Sequence, residues 1–263
     1  MIIINWNISY MNSIKNKIDY LKQKIENKTF FIILQEVKQN DYEEILGVFS
    51  NIASVEYSLN YRKPSKFDTT SRKLGIAIIV SKDIEIINAQ VLDRTLLPDR
   101  TLMVDTMINN RRVRILGLHS ITGCQHGKAK EIQYYSFAEA VDTYKPDIIG
   151  IDANEPEYDH YLLDQMKFYD NYNNGNGCKT FFETIYQNNL VDSYLHKYSI
   201  ENYINGEYLA CSYIVNKKKK VRYDFLFINN NLFDDYESVY DYDNAVNAGS
   251  DHASIILNVL KCL

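Results

Sequence analysis

No two cysteines form a Cys-x-x-Cys pair; Cys124, Cys178, Cys211 and Cys262 are scattered along the chain. That spacing argues against a zinc site or a redox pair. It suits free thiols in a reducing cytosol, so a cytoplasmic location is expected. Long hydrophobic runs are missing too, and each apolar stretch is too short to span a bilayer. Met1 to Trp6 run straight into strand-like residues with no basic region or cleavage site, so no signal peptide is expected. There is no internal repeat, long linker or low-complexity tail. Positive charge is not in excess: 29 Lys and Arg face 34 Asp and Glu, a net charge of −5. Such a chain is not a strong non-specific DNA clamp, because that affinity comes from Lys and Arg neutralising phosphates. Phosphate chemistry stays open, since a bound divalent metal supplies local positive charge.

What is present is an ordinary globular composition, 46% hydrophobic and 24% charged over 263 residues. A single domain spanning residues 1–263 would bury roughly 75% of its unfolded surface and needs no staples. Ile2 to Ile4 and Phe30 to Leu34 read as continuous apolar strands, with an amphipathic helix between them over Ser13 to Asn27. Strands of that kind, joined through a helix, belong to sheets covered on both faces. A second helix is expected over Tyr42 to Ile52 and a strand over Leu74 to Ser81. Thr101 to Ile108 and Arg111 to His119 form a hairpin turned at Asn109-Asn110, because Asn tolerates left-handed backbone. Lys128 to Lys145 has helical spacing, and Pro146 ends it before the strand Asp147 to Ile151. Phe181 to Tyr198 reads as containing helix, Leu190 to Asp192 included. Cys211 to Val215 and Val221 to Ile228 read as strands either side of a solvated basic turn, and Phe233 to Asp243 as an acidic, tyrosine-rich loop. Early alternation of strands and helices, then a strand-rich second half, indicates layered α/β structure.

Polar residues recur where these apolar runs end. Asn7 follows Ile2 to Ile4, Glu36 follows Phe30 to Leu34, His119 follows Ile115 to Leu118, and Asp152 with Asn154 follows Ile148 to Ile151. Asp224 interrupts Val221 to Ile228, where an unpaired charge would be costly. The pair Asp251-His252 stands just before Ile255 to Leu257. Strand-end decoration does not account for six strands each delivering an acid, amide or imidazole.

The segments Trp6-Asn7, Leu34-Gln35-Glu36, Leu118-His119-Ser120, Asp152-Ala153-Asn154, Arg222-Tyr223-Asp224-Phe225 and Ser250-Asp251-His252 resemble, in order and spacing, the motifs of the endonuclease/exonuclease/phosphatase (DNase I-like) superfamily. Two departures stand out. The family's Gly-Asp-Phe-Asn appears as Ile151-Asp152-Ala153-Asn154, with the glycine at 150. The Tyr-x-Pro-Asn of repair exonucleases is replaced by Leu118-His119-Ser120, which is similar to the DNase I-like and phosphodiesterase branches.

The resemblance implies a four-layered α/β sandwich with two central mixed β-sheets flanked by helices. It implies a Mg²⁺-dependent phosphodiesterase, with Mn²⁺ as an alternative ion, most naturally a nuclease acting on DNA. The other reading is a phosphatase or phosphodiesterase for a small or lipid-linked phosphate such as an inositol phosphate. Glu36 is the expected metal ligand, supported by Asn7 and Asp251. Asp152 would orient or deprotonate water, and Asn154 would hold that water or a phosphate oxygen. Asp224 would pair with His252, and His119 would serve as a general acid. Asp68 is the expected carboxylate partner of His119. Arg100 is expected to grip phosphate, because a guanidinium binds two oxygens at once.

Overall fold

Along the first strand, Ile2, Ile4 and Trp6 face one side, while Ile3, Asn5 and Asn7 face the other. Alternation with both sides covered is what a strand between a helical layer and a second sheet requires. The computed structural model describes residues 1–63, 73–169, 175–197 and 210–262. It contains two mixed six-stranded sheets. The first runs, in spatial order, β13 (Phe233–Asp241), β14 (Ser254–Cys262), β1 (Ile2–Asn7), β2 (Phe30–Val37), β4 (Gly75–Ser81) and β3 (Ala53–Tyr57). The second runs β5 (Glu85–Gln90), β6 (Thr101–Ile108), β7 (Arg111–His119), β8 (Ile148–Asp152), β12 (Asp224–Asn229) and β9 (Leu190–Asp192). Each sheet has one parallel pair near its middle, β1 with β2 and β7 with β8. A small hairpin, β10 (Tyr213–Val215) with β11 (Lys219–Val221), forms its own two-stranded sheet and is bridged through Tyr213 to His252.

Helices close the outer faces. Ile18, Leu21 and Ile25 of α1 (Lys15–Ile25) and Ile45 and Phe49 of α2 (Gln39–Phe49) pack on the first sheet. Tyr134, Phe137 and Val141 of α4 (Gly123–Tyr144) and Phe181, Phe182 and Ile185 of α5 (Gly177–Gln187) pack on the second. The short helices α3 (Ser58–Tyr61) and α6 (Tyr242–Asn247) complete the set among the described residues. Between the sheets lies a third apolar layer built from Ile3, Phe31, Ile33, Ile78 and Val80 against Leu102, Val104, Ile115, Ile148 and Leu226. Each such side chain contributes ~1.5–3 kcal/mol when taken fully out of water.

The sheets approach closely over a pair of glycines. Gly117 and Gly150 are register partners across β7 and β8. A Cβ on Gly117 would stand 3.0 Å from Ile33 Cγ2, and one on Gly150 2.8 Å from Ile33 Cδ1. Ile33 therefore sits in a notch that only two bare Cα atoms can form.

Most elements lie where periodicity puts them, and the Asn109-Asn110 turn has φ of 48° and 62°, as a hairpin of this kind needs. The differences are instructive. Phe233–Asp241 is an edge strand, not a loop: its charges sit on the outward positions and its partner β14 supplies the pairing. Leu190–Asp192 is a short strand antiparallel to β12, not the end of a helix. Val221 to Ile228 is not one strand. Val221 pairs with Tyr213 in the small hairpin, and the chain then crosses at Arg222-Tyr223 into the second sheet. Ala53–Tyr57 and Glu85–Gln90 are strands for which the sequence carried no clear signal. Among the described residues no helix is long and apolar enough to cross a membrane.

Two glycine substitutions should move stability in opposite directions. Gly117→Ala adds a methyl 2.8 Å from Ile76 Cγ2 and should cost ~1–3 kcal/mol through overpacking. Gly47→Ala, on exposed helix α2 with nothing within 4 Å, should gain ~0.5–1 kcal/mol. Urea midpoints of the two variants check both signs.

Candidate active site

The two parallel pairs end on the same side of the molecule, and their last residues carry the polar groups. In the second sheet the register sets His119 beside Asp152 and Asp152 beside Asp224. In the first sheet Asn7 pairs with Gln35. Glu36 follows in a bulge of β2, where the pairing with β4 slips and φ is 61°. Such a bulge re-aims one side chain, and it turns Glu36 toward the second sheet, its Oε1 lying 3.8 Å from His119 Nε2. Asn7 reaches across as well, its Nδ2 donating to Asp152 Oδ2 at 2.8 Å.

Asp224 is fully buried and accepts from His252 Nδ1 at 2.8 Å. His252 is fixed by its own turn: its N–H donates to Ser250 Oγ, Ser250 Oγ donates to Asn7 O, and Trp6 Nε1 donates to His252 O. Burial works against the imidazolium, but the Asp224 carboxylate outweighs it and holds the His252 pKa at about 10. Asp152 is raised to about 7 by burial and then by the neighbouring Asp224 charge, with His252 and the Asn7 amide acting in the other direction.

His119 behaves differently. Burial, with the positive charges of Arg100 and His252, holds its pKa well below the ordinary imidazole value. Its Nδ1 lies 3.4 Å from Arg100 Nη1. A guanidinium only donates, so Nδ1 accepts and the hydrogen of the neutral ring is on Nε2. That Nε2 faces Asp152 Oδ2 at 3.6 Å. Among the described residues this environment favours a neutral ring whose Nε2–H is the proton it can offer. Among the described residues Arg100 is the side chain against Nδ1; Asp68, the carboxylate expected to partner His119, lies outside them. Arg100 is thereby placed at the site, against His119.

Asn154 has a φ of 49°, its N–H donates to Asp152 Oδ1 at 3.0 Å, and its amide donates to Ser120 O at 3.0 Å. Asp251 stays exposed at the rim, close enough for its charge to act on His252, Lys17 and Tyr213. The pocket thus gathers Asn7, Glu36, Arg100, His119, Asp152, Asn154, Asp224 and His252, with Asp251 beside it.

Several contributors were missed from sequence. Lys130 of α4 is buried, donating to Asn154 O at 2.6 Å and pairing with buried Glu155 at 2.9 Å. Its signal was a lysine on the apolar stripe it shares with Tyr134, Phe137 and Val141. Gln133 donates to His119 O and accepts from Ile121 N–H, holding the next loop. The Tyr213 ring lies 4.7 Å from that of His252. Its hydroxyl is raised by burial and then by Asp251, Asp152 and Glu36. No motif marked it.

The donor set fits a hard divalent cation. Ligand atoms of Asp152, Asp224 and His252 lie within 4.8 Å of one another, and Asp224 Oδ1 is buried without a hydrogen-bond partner among the described residues. Carboxylate and amide oxygens suit such ions. The protonated His252 offers no lone pair to a metal at neutral pH, which leaves the carboxylates, with half-buried Glu36 the most accessible of those inside the pocket.

No protein-family model matches the sequence, and no curated protein matches it. Solved structures do share its fold. Truncated Caenorhabditis elegans TDP2 is 15% identical, with 98% of this chain and 96% of that chain covered at a TM-score of 0.62. The human nocturnin catalytic domain, with bound sulfate anion, is 12% identical over 98% and 93%, at 0.65. The 3′ phosphatase NExo from Neisseria, bound to product DNA hairpin, is 14% identical over 98% and 99%, at 0.64. The chain has the DNase I-like α/β sandwich fold, as its two mixed sheets flanked by helices require.

Asp224→Asn should bring the His252 titration down from about 10 toward the ordinary imidazole range, read from ring nitrogen resonances by NMR. Pairing raises the folded value above the unfolded 6.5, so its stabilisation is complete below pH 6.5 and fades as pH rises through about 10. The stability gap between wild type and variant should therefore be ~3 kcal/mol at pH 6 and smaller at pH 10.

Proposed function

We propose that this protein is a divalent-metal-dependent phosphoester hydrolase acting on DNA. The observation that carries the reading is the convergence of Asn7, Glu36, His119, Asp152, Asp224 and His252, from strands of both sheets, on one pocket. The fold is shared with TDP2 and with a 3′ phosphatase whose structure holds a DNA product. The exposed lysines 217–220 rise on the β10–β11 hairpin, whose base carries Tyr213 beside His252, and offer charge to a phosphate backbone.

In the reaction a water oxygen bonds to phosphorus and the ester P–O bond breaks. Asp152, raised to about 7, accepts the water proton. Asn154 and Asn7 hold the Asp152 carboxylate in place. His252, protonated through Asp224, sets a positive charge against a phosphate oxygen. His119 Nε2–H donates to another, with Arg100 fixing the ring. Glu36, with Asp251 and Asn7 nearby, holds the cation, for which Mg²⁺ is our choice and Mn²⁺ the substitute; when bound it stabilises negative charge on the phosphate and leaving oxygen. We place the activity in the cytoplasm, because four scattered cysteines without Cys-x-x-Cys spacing suit a reducing compartment.

Plasmid and labelled oligonucleotides incubated with Mg²⁺ should be cleaved, and EDTA should abolish cleavage. Glu36→Gln and His252→Ala should each lower the rate by roughly 10²–10⁴-fold. Uncut DNA alongside metal-dependent release of phosphate from an inositol phosphate would move the substrate assignment to small phosphoesters.

A further inference from the structure

One fully buried amide lies directly beneath the pocket. Asn5 of β1 points into the layer between the sheets, among Ile3, Ile33 and Leu226. A polar side chain there is costly unless its bonds are made. Asn5 makes them: Nδ2 donates to Phe225 O at 3.1 Å and to Ile151 O at 3.4 Å, and Oδ1 accepts from Gln35 Nε2 at 2.7 Å.

Each partner is a neighbour of a site residue in the chain. Gln35 precedes Glu36, Ile151 precedes Asp152, Phe225 follows Asp224, and Asn5 itself stands two residues before Asn7. Through one side chain, four strands in two sheets are tied together immediately below the groups that face the substrate. A second observation agrees. A Cβ on Gly150 would lie 2.4 Å from Asn5 Oδ1 and 2.9 Å from its Cγ, so the bare Cα of Gly150 and the amide are shaped to each other.

Stability alone does not account for this arrangement, because well-packed apolar side chains would fill the layer at no net loss. What an amide adds is direction. Its hydrogen bonds hold distance and angle within narrow limits, whereas apolar packing lets sheets settle. Catalytic groups split between two sheets need their separation held to about 0.5 Å.

We propose that Asn5 is a positioning residue, a strut that sets the spacing between the Asn7–Glu36 half of the site and the Asp152–Asp224 half. The proposal rests on the hydrolase reading above. It acts through its neighbours and touches no substrate.

The test uses Asn5→Leu and Gly150→Ala, which disturb the strut from opposite sides, and Val80→Ala as control. Val80 lies in the same layer but pairs with Phe31, at the end of β2 away from Glu36. With a labelled DNA oligonucleotide and Mg²⁺, Asn5→Leu and Gly150→Ala should lower kcat at least tenfold with KM unchanged. Both should also shift the ring nitrogen resonances of His119 and His252. Val80→Ala, at an equal or larger loss of thermal midpoint, should leave kcat and both resonances unchanged. The proposal is overturned if Asn5→Leu keeps the wild-type kcat, or if Val80→Ala loses kcat in step with its midpoint. Should Asn5→Leu fail to fold, Gly150→Ala decides on the same terms. If the wild type hydrolyses no phosphoester, the functional reading falls by itself; unmoved histidine resonances in the folded Asn5 or Gly150 variant would then sink the strut separately.

Discussion

Asp152 and Asp224 face each other across adjacent strands with neither open to water, and the rest of the pocket is arranged around that pair. Burial and mutual repulsion both favour protonation of such carboxylates. The two are resolved differently. Asp224 takes its hydrogen bond from His252, and its charge keeps that imidazole protonated. Asp152 takes amides, from Asn7 and Asn154, and keeps a raised affinity for a proton. Two identical side chains thereby acquire different jobs: one stores a charge on its partner, the other is poised to gain a proton. His119 is held toward its neutral form by burial and then by the positive charges of Arg100 and His252.

The loops that carry these groups are gripped from outside the pocket. Lys130, Gln133 and Tyr134 project from a single stretch of α4 and bond, respectively, to the carbonyls of Asn154, His119 and Ala153. A buried ion pair such as Lys130–Glu155 is weak evidence for stability. Its geometry here is better understood as fixing where the Asn154 turn lies. On the other side, Lys17 bonds the carbonyls of Ser9 and Asn12, holding the segment that leads away from Asn7. Its own pKa is lowered to about 8 by burial, the nearby carboxylates offsetting only part of that.

Much of this was legible in the residues themselves. Continuous apolar runs such as Phe30 to Leu34 marked strands covered on both faces, and polar groups at their ends marked where a site would open. The hairpin at Asn109-Asn110 followed from the backbone those residues tolerate. What stayed hidden depends on long-range contact. The edge strand Phe233–Asp241 reads as a loop because its charges face water, and only its pairing with β14 makes it a strand. The break at Arg222-Tyr223 is invisible in an unbroken β-prone run, because which sheet each half joins is a tertiary matter. The depressed pKa of His119 could not be read from its motif, since burial and then Arg100 and His252 set it, none of them a neighbour in the chain. Lys130 and Tyr213 belong to the same class: each is ordinary locally and acquires meaning from what folds against it.

The pairing of Gly117 with Gly150 under Ile33 works as a detent. For one sheet to slide over the other, the isoleucine must leave the space that the two missing Cβ atoms open for it. Shear between the layers is thereby resisted. The notch thus acts as a keyway, fixing the register at which one layer rests on the other.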